Sequence, residues 1–226
     1  MLPLVRLLQL VSPALPVGAY TYSQGLEWAV ECGTARDEAG AARWIGDALE
    51  HGLARFEAPL VAALLRAWSD GDDARVAALN ADFLASRETM ELRAETAQMG
   101  WSLARLLTEL DAFARLDGWR ARLLAVDEPA FPTAWAAAAA AWGVPHDEAL
   151  AAYLWAWLEN QVMAAVKAVP LGQSAGQRLL ATLGERIPEL AVRAGRLPEP
   201  EWSNFNPGLA IASSRHETQY TRLFRS

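Results

Sequence analysis

The chain has 226 residues, of which 53% are hydrophobic, and it carries a formal charge of -7 at pH 7. That length can bury a large core, and because no low-complexity linker divides the sequence, we expect one domain over residues 1–226. The acidic balance and the absence of a basic cluster argue against a nucleic-acid-binding protein, because neutralising phosphates requires a concentrated positive surface. Cys32 is the only cysteine, so no internal disulfide is possible, and we expect an ordinary buried thiol.

Alanine and leucine are abundant, whereas alternating runs of Val, Ile and Thr are scarce, and this favours helices over strands. The sequence therefore predicts an all-α fold, a single-domain bundle of about ten helices with a flexible C-terminal tail.

The first half of the chain reads as a series of helices with clear breaks. Residues 1–10 form a short amphipathic start, and a stretch rich in proline and glycine, residues 11–19, interrupts it. Thr21 and Gln24 then have the spacing of a capping box, which predicts a helix beginning near Tyr22. Apolar residues at three- and four-residue spacing predict further helices over residues 37–56, 60–68 and 73–85.

Residues 86–110 open with many charged side chains and become apolar toward their end. Arg87 and Glu91 are four residues apart, and such pairs stabilise an exposed helix by about 0.2–0.5 kcal/mol. We interpret this stretch as the solvated face of a helix. An alanine-rich helix follows, with Thr133 as a candidate cap and Gly143 as its end.

The sequence predicts that the helix over residues 147–169 is central, because its apolar residues fall on all sides of the helical wheel. Glu159 and Lys167 interrupt the apolar surface on one face, and they could form a buried ion pair. Pro170 cannot continue the helical hydrogen bonds, so the helix should stop near Val169.

Residues 215–226 have too few apolar positions to form a packed element of their own. A free tail of this kind is commonly disordered, but an aromatic and basic tail is also what folds onto a partner. The longest apolar run, residues 134–144, is well short of the roughly twenty residues that span a membrane. With no signal-like segment at the start, we expect a cytoplasmic protein without a membrane partner.

No catalytic, cofactor or metal motif stands out. The chain has neither a G-x-x-x-x-G-K-[ST] loop nor a G-x-G-x-x-G turn after a strand. His216 and Glu217 begin a near match to H-E-x-x-H, but Tyr220 replaces the second histidine and removes a zinc ligand. The three histidines are far apart in sequence, so we assign no catalytic, cofactor-binding or metal residue and no cofactor.

Four segments together resemble the urease accessory protein family UreF. They read LLQLVSPALPVGAYTYSQGLEWAVE at residues 7–31, SRETMELR at 86–93, AAVKAVPLGQ at 164–173 and SSRHETQYTRLFRS at 213–226. They span both ends and the middle of the chain in the family's order.

The resemblance implies an all-helical protein that is not an enzyme and acts as a nickel-insertion chaperone in urease maturation. Its partners would be the accessory proteins UreD (also called UreH) and UreG, the latter a GTPase that it would help to regulate, and apo-urease. The family also implies a homodimer in the cytoplasm.

The resemblance also implies roles for individual residues. In the N-terminal block and around the end of the central helix, the residues expected to face UreG are Tyr22, Ser23, Glu27, Lys167, Pro170, Gly172 and Gln173. In the tail, the residues expected to become ordered against UreD are Arg215, His216, Glu217, Tyr220, Arg222 and Phe224.

Two alternatives remain open from the sequence. One is a helical hydrolase or transferase whose site uses Glu88, Glu91 and His216. The other is a direct nickel carrier, which would bind the metal tightly on its own.

Overall fold

The computed structural model describes residues 1–226 and confirms the all-α fold. The helices are α1 (Leu2–Leu10), α2 (Leu26–Glu31), α3 (Glu38–Asp47), α4 (Glu57–Asp70), α5 (Asp73–Ala85), α6 (Met90–Glu109), α7 (Asp111–Ala114), α8 (Trp119–Leu124), α9 (Phe131–Ala141), α10 (His146–Ala168), α11 (Gln173–Gly184), α12 (Ile187–Arg196) and α13 (Pro207–His216). Short 3-10 turns occupy Ala19–Thr21, Leu53–Arg55 and Glu199–Glu201, and Ala48–Gly52 is a π-helical turn. None of these helices is long and apolar enough to cross a membrane.

The prediction of a central helix is confirmed by α10, which packs against α2, α3, α4, α9, α11 and α12. Leu154, Leu158 and Val162 are fully buried along it. The helix ends at the predicted place, because Val169 adopts an extended conformation before Pro170.

The alanine-rich helix α9 lies between α4 and α6. Its small side chains allow close approach, and the residues from Ala134 to Ala139 have no exposed surface. Gly100 of α6 serves the same purpose, since a β-carbon there would lie 1.9 Å from the carbonyl oxygen of Pro129. Thr133 is not the predicted cap: it lies inside α9, and its carbonyl accepts a hydrogen bond from the Trp68 indole at 3.1 Å.

The predicted start of the second helix at Tyr22 is wrong, because α2 begins four residues later. Gln24 and Gly25 adopt left-handed conformations, with φ of 51° and 79°, which a right-handed helix cannot include. Thr21 donates its hydroxyl to the Gly18 carbonyl instead of capping a helix. Cys32, expected in the interior, is exposed at the end of α2.

The predicted Arg87–Glu91 pair is also wrong. Helix α6 begins only at Met90, because the Thr89 hydroxyl accepts a hydrogen bond from the Leu92 amide at 3.2 Å and caps it there. Arg87 therefore lies outside the helix, and it pairs with Glu57 at 3.5 Å.

Candidate functional site: the docked C-terminal segment

The C-terminal segment, residues 217–226, is packed onto the helices, in contrast to the flexible tail that the sequence predicts. Phe224 is 6% exposed and Ser226 is fully buried. Helix α13 packs against α2 and delivers the segment to a surface formed by α2, α6 and α10. We call the polar residues that hold it the docking cluster, namely Ser23, Glu27, Glu91, Glu95 and His216.

Glu27 is the main acceptor of the docking cluster. One carboxylate oxygen, Oε1, accepts a hydrogen bond from the Leu223 amide at 2.6 Å, and the other, Oε2, accepts from the Phe224 amide at 3.0 Å. Hydrogen bonds to an ionised acceptor are stronger than those between neutral groups. A side chain on α2 therefore fixes the backbone of the C-terminal segment.

His216 lies between two carboxylates and has no exposed surface. Its Nδ1 is 2.7 Å from Oε2 of Glu91, and its Nε2 is 3.2 Å from Oε2 of Glu27. Both ring nitrogens can donate at the same time only in a protonated ring. Arg222 binds the second oxygen of Glu91, so this carboxylate joins α6 to both α13 and the segment after it.

The last residue is held by the N-terminal block. The Ser23 amide and hydroxyl donate to the Ser226 carbonyl oxygen at 2.7 Å and 2.6 Å. The Ser226 hydroxyl donates to Glu95 at 2.6 Å, and the Gln24 amide donates to the same carboxylate at 2.7 Å. Burial raises the pKa of Glu95 to about 7, although these two hydrogen bonds oppose the shift.

Lys167 lies beside the docked segment and is exposed. Its Nζ is 5.7 Å from the centre of the Phe224 ring, a cation–π distance, and the predicted pair with Glu159 is not formed. Tyr22 is buried, and its carbonyl accepts a hydrogen bond from Asn160 at 3.3 Å. Three of the expected partner-binding residues are exposed just after α10, namely Pro170 and Gly172 in the turn and Gln173 at the start of α11.

The outer face of the docked segment is partly apolar. Tyr220 is fully exposed and Leu223 is 71% exposed, with the exposed Arg222 between them. Exposed aromatic and aliphatic side chains on an ordered segment are typical of a protein contact surface. Arg215 is exposed at the end of α13, and Glu217 accepts a hydrogen bond from the Glu91 amide at 3.3 Å.

The structure thus brings Ser23 and Glu27 together with His216 and Phe224, and it adds Glu91 and Glu95 as partners of the tail. Pro170, Gly172 and Gln173 are exposed and make no contact of this kind. Sequence periodicity assigned the stretch that contains Glu91 to a solvated face. Two signals pointed to Glu91, namely its place in the segment at residues 86–93 of the resemblance and its pairing with His216 in the hydrolase or transferase alternative.

The residues named for the hydrolase or transferase alternative do not all meet at one site. Glu91 and His216 are in contact, but Glu88 accepts a hydrogen bond from Asn204 instead. No group of three or more His, Cys, Asp or Glu side chains is arranged to hold a metal ion.

Comparison with known proteins agrees with the resemblance. The UreF family model matches residues 35–184. Urease accessory protein UreF from Azoarcus sp. (strain BH72) is 79% identical over 226 residues, which covers 100% of this chain and 97% of that protein. The protein of the same name from Dechloromonas aromatica (strain RCB) is 62% identical over 228 residues, covering 100% of this chain and 98% of the relative. The chain therefore belongs to the UreF family of urease accessory proteins.

Proposed function

We propose that this chain is a scaffold for urease maturation and not itself an enzyme. With UreD/UreH it recruits the GTPase UreG to apo-urease, where the nickel active site is assembled in a GTP-dependent reaction. Nickel is then a cargo of the assembly and not a resident cofactor of this chain. We expect the scaffold to be a cytoplasmic homodimer, without nucleic-acid or membrane partners.

The observation that carries this proposal is the docked C-terminal segment. Polar groups inside the protein hold its backbone, while the side chains of Tyr220 and Leu223 are exposed. An ordered segment loses less conformational entropy on binding than a free tail does. We assign this outer face to UreD/UreH.

Lys167 and the turn after α10 form a second exposed surface, which we assign to UreG. Lys167 has no ion-pair partner within the chain, so its charge is available to a neighbouring protein. Its contact with the Phe224 ring places the two surfaces side by side. A partner that binds one surface can therefore sense the state of the other.

Co-expression of urease with its other accessory proteins tests the proposal. We expect urease to be nickel-poor and inactive without this chain, and to remain so with a Tyr220→Ala/Leu223→Ala variant that no longer retains UreD/UreH in a pull-down. Lys167→Ala should retain UreD/UreH but lose UreG.

The matched control is Arg196→Ala, because Arg196 is exposed on α12 and makes no ion pair. It should leave nickel loading unchanged. Normal nickel loading with both surface variants, shown to be folded by circular dichroism, would contradict the assignment of these surfaces.

A further inference from the structure

A cavity of about 90 Å³ lies between the segment at residues 10–20, helix α6 and helix α10. It is separate from the outer face of the docked segment, and it shares Glu95 with the docking cluster. Most of its lining is apolar or aromatic, with a small number of polar groups, which is typical of small-molecule sites.

The polar groups of the cavity carry an excess of negative charge. Glu57, Glu95 and Glu159 line it, whereas Arg87 is the only cationic side chain among the lining residues. Arg87 is paired with Glu57, which also accepts a hydrogen bond from the Tyr153 hydroxyl at 2.5 Å. Two carboxylates are therefore left without a cation.

Glu95 is the deeper of these two carboxylates, and it is 6% exposed. Its two hydrogen-bond donors, Gln24 and Ser226, are both neutral. A buried carboxylate without a cationic partner is costly to keep ionised. Burial raises the pKa of Glu95 and Glu159, and it also raises that of Glu57 despite the nearby Arg87.

A further acceptor lacks a partner. Asn160 also lines the cavity, and its side-chain oxygen is buried without any hydrogen bond. The one unsatisfied buried atom of the lining is thus an acceptor, and the carboxylates beside it are acceptors too, so the cavity favours a donor-rich, positively charged ligand. The side chains of Trp157, Phe131 and Tyr20 add aromatic faces to the lining, which favour an organic cation.

The acceptors do not converge as metal ligands do, because no group of His, Cys, Asp or Glu in the structure could hold a metal ion. A ligand with several N–H groups can instead reach acceptors that are spread over the cavity. We propose that this cavity binds a small organic cation of the guanidinium or alkylammonium class.

Titration of the full chain with methylguanidinium tests the proposal, with methylurea as a neutral ligand of the same shape. Calorimetry gives the affinity, and the Trp157 indole N–H signal in ¹⁵N NMR reports on the cavity. We expect saturable binding of methylguanidinium that shifts this signal, and binding of methylurea at least about tenfold weaker. Equal affinity for the two ligands, or no saturable binding, would overturn the proposal.

Substitution of carboxylates inside and outside the cavity tests where the cation binds. Glu95→Gln should weaken methylguanidinium binding by about tenfold or more, whereas Glu128→Gln, which alters an exposed carboxylate outside the cavity, should have no effect. Glu159→Gln is a second variant at a partly exposed position where misfolding is not expected, and it should also weaken binding. Wild-type affinity in folded Glu95→Gln and Glu159→Gln would show that the cation binds elsewhere.

The affinity for the cation should rise with pH, because the cation and a proton compete for the Glu95 carboxylate. The other charged or titratable groups facing the cavity are Glu57, Arg87, Tyr153 and Glu159, with Tyr20 beside the last. With a pKa of about 7 for Glu95, affinity should rise about tenfold from pH 6 to pH 8. Falling affinity over this interval would contradict the role of Glu95.

The same titration with N-acetyl-arginine amide separates two sources of the cation. Binding of both compounds shows that the cavity can accept an arginine side chain carried by a protein, whereas binding of methylguanidinium alone indicates a free small molecule.

Discussion

At the scale of single residues, Glu27 joins the first part of the chain to the last. Its two oxygens accept hydrogen bonds from the Leu223 and Phe224 amides and contact His216. Glu27→Gln removes the negative charge and one acceptor from a buried site, and a hydrogen bond to a charged group contributes about 1.5–3 kcal/mol. We therefore expect the docked state of the segment to lose about 2 kcal/mol of stability. The population of the open state should then rise about 30-fold.

Trypsin cleavage after Arg222 measures this opening, because the docked backbone must detach before the protease can bind. Glu31→Gln is the matched control, an exposed glutamate on the same helix. If Glu27→Gln lowered the free energy of unfolding of the whole protein without faster cleavage at Arg222, the role of Glu27 in local docking would be wrong.

At the scale of elements, the contact of α6 with the segment leading into α9 depends on a glycine. A β-carbon at Gly100 would overlap the backbone of Pro129 and Ala130, which cannot move aside as a flexible side chain could. Overpacking of this kind typically costs about 1–3 kcal/mol, so Gly100→Ala should lower the free energy of unfolding by that amount. Urea denaturation followed by circular dichroism measures it.

Gly172→Ala provides the comparison, because nothing lies within 4 Å of a β-carbon at that position. It should change the free energy of unfolding by less than Gly100→Ala does, because the lower entropy of the unfolded chain offsets the loss of glycine as the N-cap of α11. Equal free energies of unfolding for Gly100→Ala and Gly172→Ala would mean that α6 and the segment leading into α9 can move apart to admit the extra methyl group.

At the scale of the whole molecule, buried carboxylates make stability depend on pH. The pKa of Glu95 is about 7 in the folded protein against an ordinary value of 4.5, because burial disfavours the charged form. A raised folded pKa means that its contribution is fully present below about pH 4.5 and is lost as pH rises through 7. The change corresponds to about 3 kcal/mol.

The difference in unfolding free energy between the wild type and Glu95→Gln, measured in urea from pH 5 to pH 8, isolates this contribution. The wild type should lose stability relative to the variant as pH rises. Glu128→Gln is a control whose difference from the wild type should stay constant over this interval, because the Arg93 guanidinium lowers the pKa of Glu128 and the carboxylate is ionised throughout. A constant difference between wild type and Glu95→Gln would show that Glu95 ionises freely in the folded state.

Several features could be predicted from the sequence because they depend on neighbouring residues. The bounds of α5 and the end of α10 follow from local turn and proline signals. The four segments of the resemblance contain Ser23, Glu27, Glu91 and His216 of the docking cluster, whereas Glu95 lies outside them. The start of α2 could not be predicted in this way, because packing of Gly25 against Ala212, far along the chain, accompanies the left-handed turn.

Composition and periodicity by themselves determined the all-α fold, the central helix and the lack of known catalytic motifs, since these are properties of short stretches of chain. Only the tertiary structure decided which charged residues are buried. Glu91 and Glu95 have the spacing of an exposed helix face, yet they bind residues more than 100 positions away, at Arg222 and Ser226. The solvation of a carboxylate depends on the elements that cover it, and the neighbouring residues in the sequence do not show which elements those are.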